Sequence, residues 1–180
     1  MKPCVLLIFT TLALPVFNQT VIGTVEKIDK NQIHVKSRDG QVTFNVDERT
    51  TVTKGKMFND LSPLAVGDVI RVNYFGEETR IAVNISAHVT LSGVITEVRS
   101  NSITVLRNQT EDPTSTDRSV GVFVFLNRST QFGTSRNQLT AGRRVQVVGW
   151  DAGNRVVEAD KVAIFETDLP IPAPRQRPPH

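Results

Sequence analysis

For acid/base or metal chemistry this 180-residue chain offers few titratable groups beyond three histidines, one cysteine and a scatter of carboxylates. Such chemistry needs titratable groups converging in one pocket, and their placement runs against it. His34 and His88 fall on different predicted strands of the first half. Their counterparts in the second half are Thr104 and a segment without histidine, so no duplicated site forms and both are expected as exposed strand residues. Glu77-Glu78 follows Gly76 in a predicted hairpin turn, where carboxylates are solvated. The chain has no glycine-rich phosphate loop, no Gly-x-Ser-x-Gly elbow and no His-Glu-x-x-His helix. Cys4 lies in a segment expected to be removed, which leaves no thiol for a disulfide, a nucleophile or a metal. The expectation is a non-enzymatic chain without catalytic, metal-binding or cofactor-binding residues.

Binding chemistry is better represented. Phe123 and Phe125 alternate with Val122, Val124 and Leu126, which makes one predicted strand apolar on both faces. One face should line a core; the other could cover the first domain, bind a ligand or be shielded by the loop 108–118. Arg143, Arg144 and Arg155 could form a basic patch in the same half. The overall balance, 21 Lys and Arg against 18 Asp and Glu, gives a formal charge of +3 with no long block of one sign. Clustering marks a nucleic-acid surface better than net charge does. A single-strand binder also needs aromatics interleaved with cations on its second and third strands. The predicted second strands, Gln32 to Ser37 and Ser102 to Arg107, contain no aromatic residue, which argues against oligonucleotides. Sequons occur at Asn18, Asn84, Asn108 and Asn127, but with 29 Ser and Thr in the chain some of them arise by chance.

The elements that position these residues come in two copies. Gly23 to Ile28 with Asn31 to Val35 match Gly93 to Val98 with Asn101 to Val105 at an offset of 70. Val42, Phe44, Val46 and Thr50 match Val122, Val124, Leu126 and Thr130 at an offset of 80. Leu64, Gly67, Val72 and Arg80 match Leu139, Gly142, Val147 and Arg155 at an offset of 75. Apolar residues alternate within each copy, the period of half-buried strands. They predict strands near 20–28, 32–37, 41–46, 68–75 and 80–88, then near 90–99, 102–107, 120–126, 144–150 and 155–165. Short turns rich in Gly, Asp and Asn imply antiparallel hairpins. Phe58, Leu61 and Leu64, spaced by three, predict a helical or 3-10 turn between the third and fourth strands of the first copy, with only a turn at 135–139 in the second. Five strands with such an element make an OB-like barrel. The fold class expected is therefore all-β, two tandem five-stranded OB-like barrels.

Both ends differ from this pattern. Lys2 followed by the apolar run Val5 to Phe17 has the layout of a secretory signal peptide over residues 1–19. The run is shorter than the roughly 20 residues that cross a bilayer as a helix. Domain one is placed at 20–89, domain two at 90–166, and a proline-rich, extended tail at 167–180.

The paired pattern resembles a family of exported bacterial OB-like domains of unknown function, often found in tandem. Gly23-Thr24-Val25, Ile33-His34-Val35, Thr50-Thr51-Val52-Thr53 and Leu64-Ala65-Val66-Gly67-Asp68-Val69-Ile70-Arg71-Val72 carry the resemblance, and Arg143 departs from it where the first copy has Asp68. The resemblance implies a secreted or periplasmic location and a binding or scaffolding role, and it brings no catalytic residues. The partner expected is an extracytoplasmic protein, peptide or saccharide. The alternative is a single-stranded nucleic-acid or other polyanion binder using the second-copy arginines and the tail.

Overall fold

A computed structural model describes residues 19–107, 121–133 and 135–165. Residues 1–18, the loop expected at 108–118 and the tail expected at 167–180 lie outside the described residues. The strands are β1 (Gln19–Asp29), β2 (Gln32–Ser37), β3 (Gly40–Asn45), β4 (Thr51–Lys54), β5 (Lys56–Phe58), β6 (Val69–Phe75), β7 (Ile81–Val98), β8 (Ser102–Arg107), β9 (Gly121–Phe132), β10 (Arg144–Gly153) and β11 (Val156–Phe165). A 3-10 helix at Arg136–Gln138 is the one helical element among the described residues. The chain is all-β.

Alternation does what the sequence implies: Ile33 and Val35 are fully buried, while Gln32, His34 and Lys36 between them point outward. The strands hydrogen-bond in two closed circuits. In the first, β1 pairs with β2, β2 with β3, β3 and β4 with β7, β7 with β6, and β6 with β1. In the second, β7 pairs with β8, β8 with β9, β9 with β11, β11 with β10, and β10 with β7. Every hairpin is antiparallel. The contacts of β3 and β4 with β7, and of β9 with β11, are parallel, a closure that loop lengths do not reveal. Separate cores fill the circuits, one around Phe44, Ile70 and Ile85, the other around Leu91, Ile95 and Ile103.

β7 belongs to both circuits. Its partner changes from β6 to β10 between Ala87, opposite Ile70, and His88, opposite Trp150. The predicted strands at 80–88 and 90–99 are thus one 18-residue strand.

Each circuit turns on a glycine. β1 pairs with β6 through Gln19–Thr24 and with β2 from Gly23 onward; β7 pairs with β10 up to Val94 and with β8 from Gly93 onward. A methyl group at Gly23 would run into the carbonyl oxygen of Lys36, and one at Gly93 into that of Leu106. Two residues further on the register slips, between Val25 and Lys27 and between Ile95 and Glu97. The bulged backbone is held by the next glycine turn: Gly67 N–H donates to Val25 O at 2.8 Å and Gly142 N–H to Ile95 O at 2.8 Å. Gly67 and Gly142 have φ of +96° and +91°, which side-chain-bearing residues rarely adopt.

The helical turn expected in the first copy does not form. Gly55, at φ +76°, lets β4 fold back on β5, so Phe58 pairs with Val52 as strand instead of starting a helix. Leu61 and Leu64 are still buried under the circuit, through turns around Pro63. The 3-10 helix sits in the second copy, where no such hairpin takes up the chain.

This hairpin also joins the two units. The Asp151 carboxylate, 5% exposed, accepts from Gly55 N–H and, at 2.7 Å, from Gly153 N–H, while Thr53 Oγ1 donates to Asp151 O at 2.7 Å. Replacing Asp151 with Ala strands two backbone donors and is expected to cost about 2–4 kcal/mol, measured by urea unfolding. Trp150, the sole tryptophan, adjoins this seam. Its fluorescence and the far-ultraviolet circular dichroism of the intact chain should therefore change in one coincident transition; separated transitions would mean that the units unfold independently. Replacing Gly93 with Ala drives a methyl into backbone rather than side chain, and a loss of about 1–3 kcal/mol is expected from the same measurement.

Candidate ligand-binding face

The outward surfaces of the second and third strands of each unit are equivalent in position and different in chemistry. In the first unit the surface carries Gln32 and His34 on β2, opposite Asn45 and Thr43 on β3. These side chains are engaged with one another. Gln32 Nε2 donates to Asn45 Oδ1 at 2.9 Å, His34 Nδ1 and Thr43 Oγ1 are 2.9 Å apart, and His34 Nε2 lies 3.0 Å from Asp29 Oδ2. Lys27 Nζ donates to the same Asp29 oxygen at 2.7 Å. The hydrogen bond from Lys27, then that from His34, holds the Asp29 carboxyl below its usual range. Asp29, His34 and Thr43 thus form a bonded chain that ties β1, β2 and β3 together.

The second unit has Ser102 and Thr104 on β8, opposite Phe125 and Phe123 on β9. The phenylalanine rings meet edge to face, 5.0 Å between centroids at 74°. Val122, Val124 and Leu126 are buried in the core, and Phe125 is left 42% exposed. One register row crosses the whole outer surface from Phe125: Glu158 on β11 beside it, then Trp150 on β10, then His88 on β7. Arg71, from β6 of the first unit, reaches over this row. Its Nη2 donates to Glu158 Oε2 at 2.8 Å, and its guanidinium lies 5.2 Å from the centre of the Trp150 ring. The His88 ring packs at 4.6 Å on the same indole, with Nε2 3.3 Å from Asp160 Oδ2.

Of the residues singled out in the sequence, Phe123, Phe125 and Arg155 come together. Arg155 follows Asn154 in the turn between β10 and β11, with φ of +63°, and its carbonyl accepts Phe123 N–H at 2.8 Å. Arg143 and Arg144 stand at the other end of β10, Arg143 accepting Ile95 N–H on its carbonyl and Arg144 opposite Val94 and Phe165. A ten-residue strand separates them from Arg155 by about 30 Å, so the three arginines make no single patch. Arg80 repeats the main-chain bond of Arg155, accepting Asn45 N–H at 2.8 Å. Neither His34 nor His88 is exposed as expected: both are partly buried, each beside a carboxylate. The row linking Arg71, Glu158 and Trp150 had no signal in the sequence, because 87 residues separate Arg71 from Glu158.

Among the described residues no helix is long and apolar enough to cross a membrane, and no three metal-binding side chains converge. Two repeated all-β units sharing a strand, with an aromatic surface on only one of them, define a tandem-repeat protein whose copies have diverged on the same face. A family model described as a domain of unknown function, DUF5666, matches residues 22–86 and again residues 92–163, and the chain belongs to that family. No curated protein matches.

The pH dependence of the first unit's face follows from Asp29. A depressed carboxyl stabilises the fold above its unfolded value, 3.8, and that contribution is lost as pH falls through the lower folded value. The difference in thermal midpoint between the native chain and Asp29→Asn should hold at neutral pH, shrink below about pH 4 and vanish in stronger acid.

Proposed function

We propose that the chain is an exported, non-enzymatic binding module, built from two OB-like domains at 20–89 and 90–166, which takes its ligand on the β8–β9 face of the second. The observation that carries this reading is the pair Phe123 and Phe125, placed where the sister unit has Thr43 and Asn45. Large apolar rings at an outer sheet surface lose nothing by being covered, whereas the first unit's hydrogen-bonded row loses partners if disturbed. The OB-like reading rests on five-position circuits in which the first strand meets the fourth and the third meets the fifth. In such barrels the surface of strands two and three, flanked by the first-to-second and fourth-to-fifth strand turns, receives extended ligands. Arg155 belongs to the latter turn. Export is supported by the charged start and apolar run of residues 1–19, and a secreted or periplasmic ligand follows from it.

The test is thermal unfolding of the intact chain against a cellohexaose, a galacturonate hexamer, an unstructured 12-residue peptide and an oligothymidylate. A ligand at about 100 times its dissociation constant adds roughly 2.7 kcal/mol, worth several degrees in units of this size. At least one probe should raise the midpoint of the native chain and leave the Phe123→Ser, Phe125→Ser double variant unmoved. An equal shift in both proteins sinks the assignment of the face.

A further inference from the structure

We infer that Met57 is an oxidation site, and that its conversion to the sulfoxide by a peroxide loosens the join between the two units. The inference stands apart from the reading of the β8–β9 face. Its first support is the scarcity of sulfur. The chain has two methionines and one cysteine, and Met1 and Cys4 lie outside the described residues, so Met57 holds the only sulfur atom among those described. The residue is 52% exposed, which opens its side chain to a small oxidant. A thioether reacts as it stands, without first losing a proton, so access is what the reaction needs.

The step balances with hydrogen peroxide as the oxidant. The sulfur lone pair takes one peroxide oxygen, an S–O bond forms as the O–O bond breaks, and sulfur loses two electrons. The other oxygen leaves as water after a proton shift between the two. The product is polar and chiral where the thioether was apolar and flexible.

Position gives the reaction its consequence. β5 is the returning arm of the hairpin that reaches the second unit, and Met57 stands on it opposite Thr53. A methyl group on Gly153 would come within 2.7 Å of Met57 Cγ and 3.2 Å of Sδ. The thioether therefore lies across the seam, against the bare Cα of the last residue of β10. Beside it the join is polar, since Gly55 N–H donates to the Asp151 carboxylate and Thr53 Oγ1 to the Asp151 carbonyl. The Gly55 and Gly153 N–H groups are both given to Asp151, so neither is free for a sulfoxide oxygen. That oxygen turns to water and draws the side chain off Gly153.

The test uses the intact chain, hydrogen peroxide and peptide mass mapping. Met57 should gain one oxygen atom under mild peroxide, ahead of Trp150, which is 7% exposed. The oxidised chain should melt about 2–4 °C lower, and its Trp150 emission should move to longer wavelength as the seam opens. Met57→Leu should fold with nearly the native midpoint and lose nothing to peroxide. The inference is overturned if Met57 stays unmodified under peroxide that oxidises free methionine, or if the sulfoxide forms and the midpoint holds. A lower midpoint with unmoved Trp150 emission confines the damage to the first unit and overturns the effect on the join. An equal loss in Met57→Leu places the damage at another residue and overturns the site.

Discussion

A strand that hydrogen-bonds to two neighbours leaving in different directions has to bend where it passes from one to the other, and on the inside of that bend there is no room for a side chain. Gly23 and Gly93 meet this constraint, each with the carbonyl oxygen of a crossing strand where its Cβ would stand. The rest of each unit follows. The bend brings the bulge at Val25 or Ile95 within reach of the Gly67 or Gly142 turn, and that turn aims the fourth strand back along the first. Once the first and fourth strands pair, the fifth closes on the third. A buried threonine seals the closure: Thr50 Oγ1 donates to Ala82 O at 2.6 Å and Thr130 Oγ1 to Ala159 O at 2.7 Å.

The same scaffold carries two different surfaces because the constraint acts inward. Core positions must pack in both copies, so Phe44 and Val124, or Ile33 and Ile103, stay apolar. Outward positions of the second and third strands are under no such demand. One copy has filled them with a mutually bonded polar row and the other with an aromatic pair. The seam adds a contribution that neither copy has alone, since Arg71 of the first unit sets the charge environment of Glu158, beside Phe125 in the second.

Much of the fold was legible in the sequence because its causes are local. Alternating Val and Ile predict the strands, and Gly23 with Gly93, or Gly67 with Gly142, mark positions where only glycine fits. The hairpin at Gly55 was not legible, since Phe58, Leu61 and Leu64 satisfy a helical spacing and only the pairing of Val52 with Phe58 decides for strand. The aromatic pair of the candidate face could be read from its alternation. Its separation from Arg143 and Arg144 could not, because that depends on the length and direction of β10. Nor could the Arg71 contact, which exists only once two units far apart in sequence are docked.

The shared strand leaves the join between the units without slack. Ile85 packs in the first core, Val89, Leu91 and Ile95 in the second, and Ala87 between them is buried too. All lie on one side of the same pleat. Inserting or deleting a single residue within this stretch would turn every inward side chain of one unit toward solvent. A change of two keeps the parity but slides one unit past the other by about 6.6 Å, pulling Arg71 away from Trp150 and Glu158. The spacing of the two copies therefore works as a ratchet with a two-residue tooth. A tandem array joined in this way can diverge freely on its outer faces, while the length of the strand that joins it is locked.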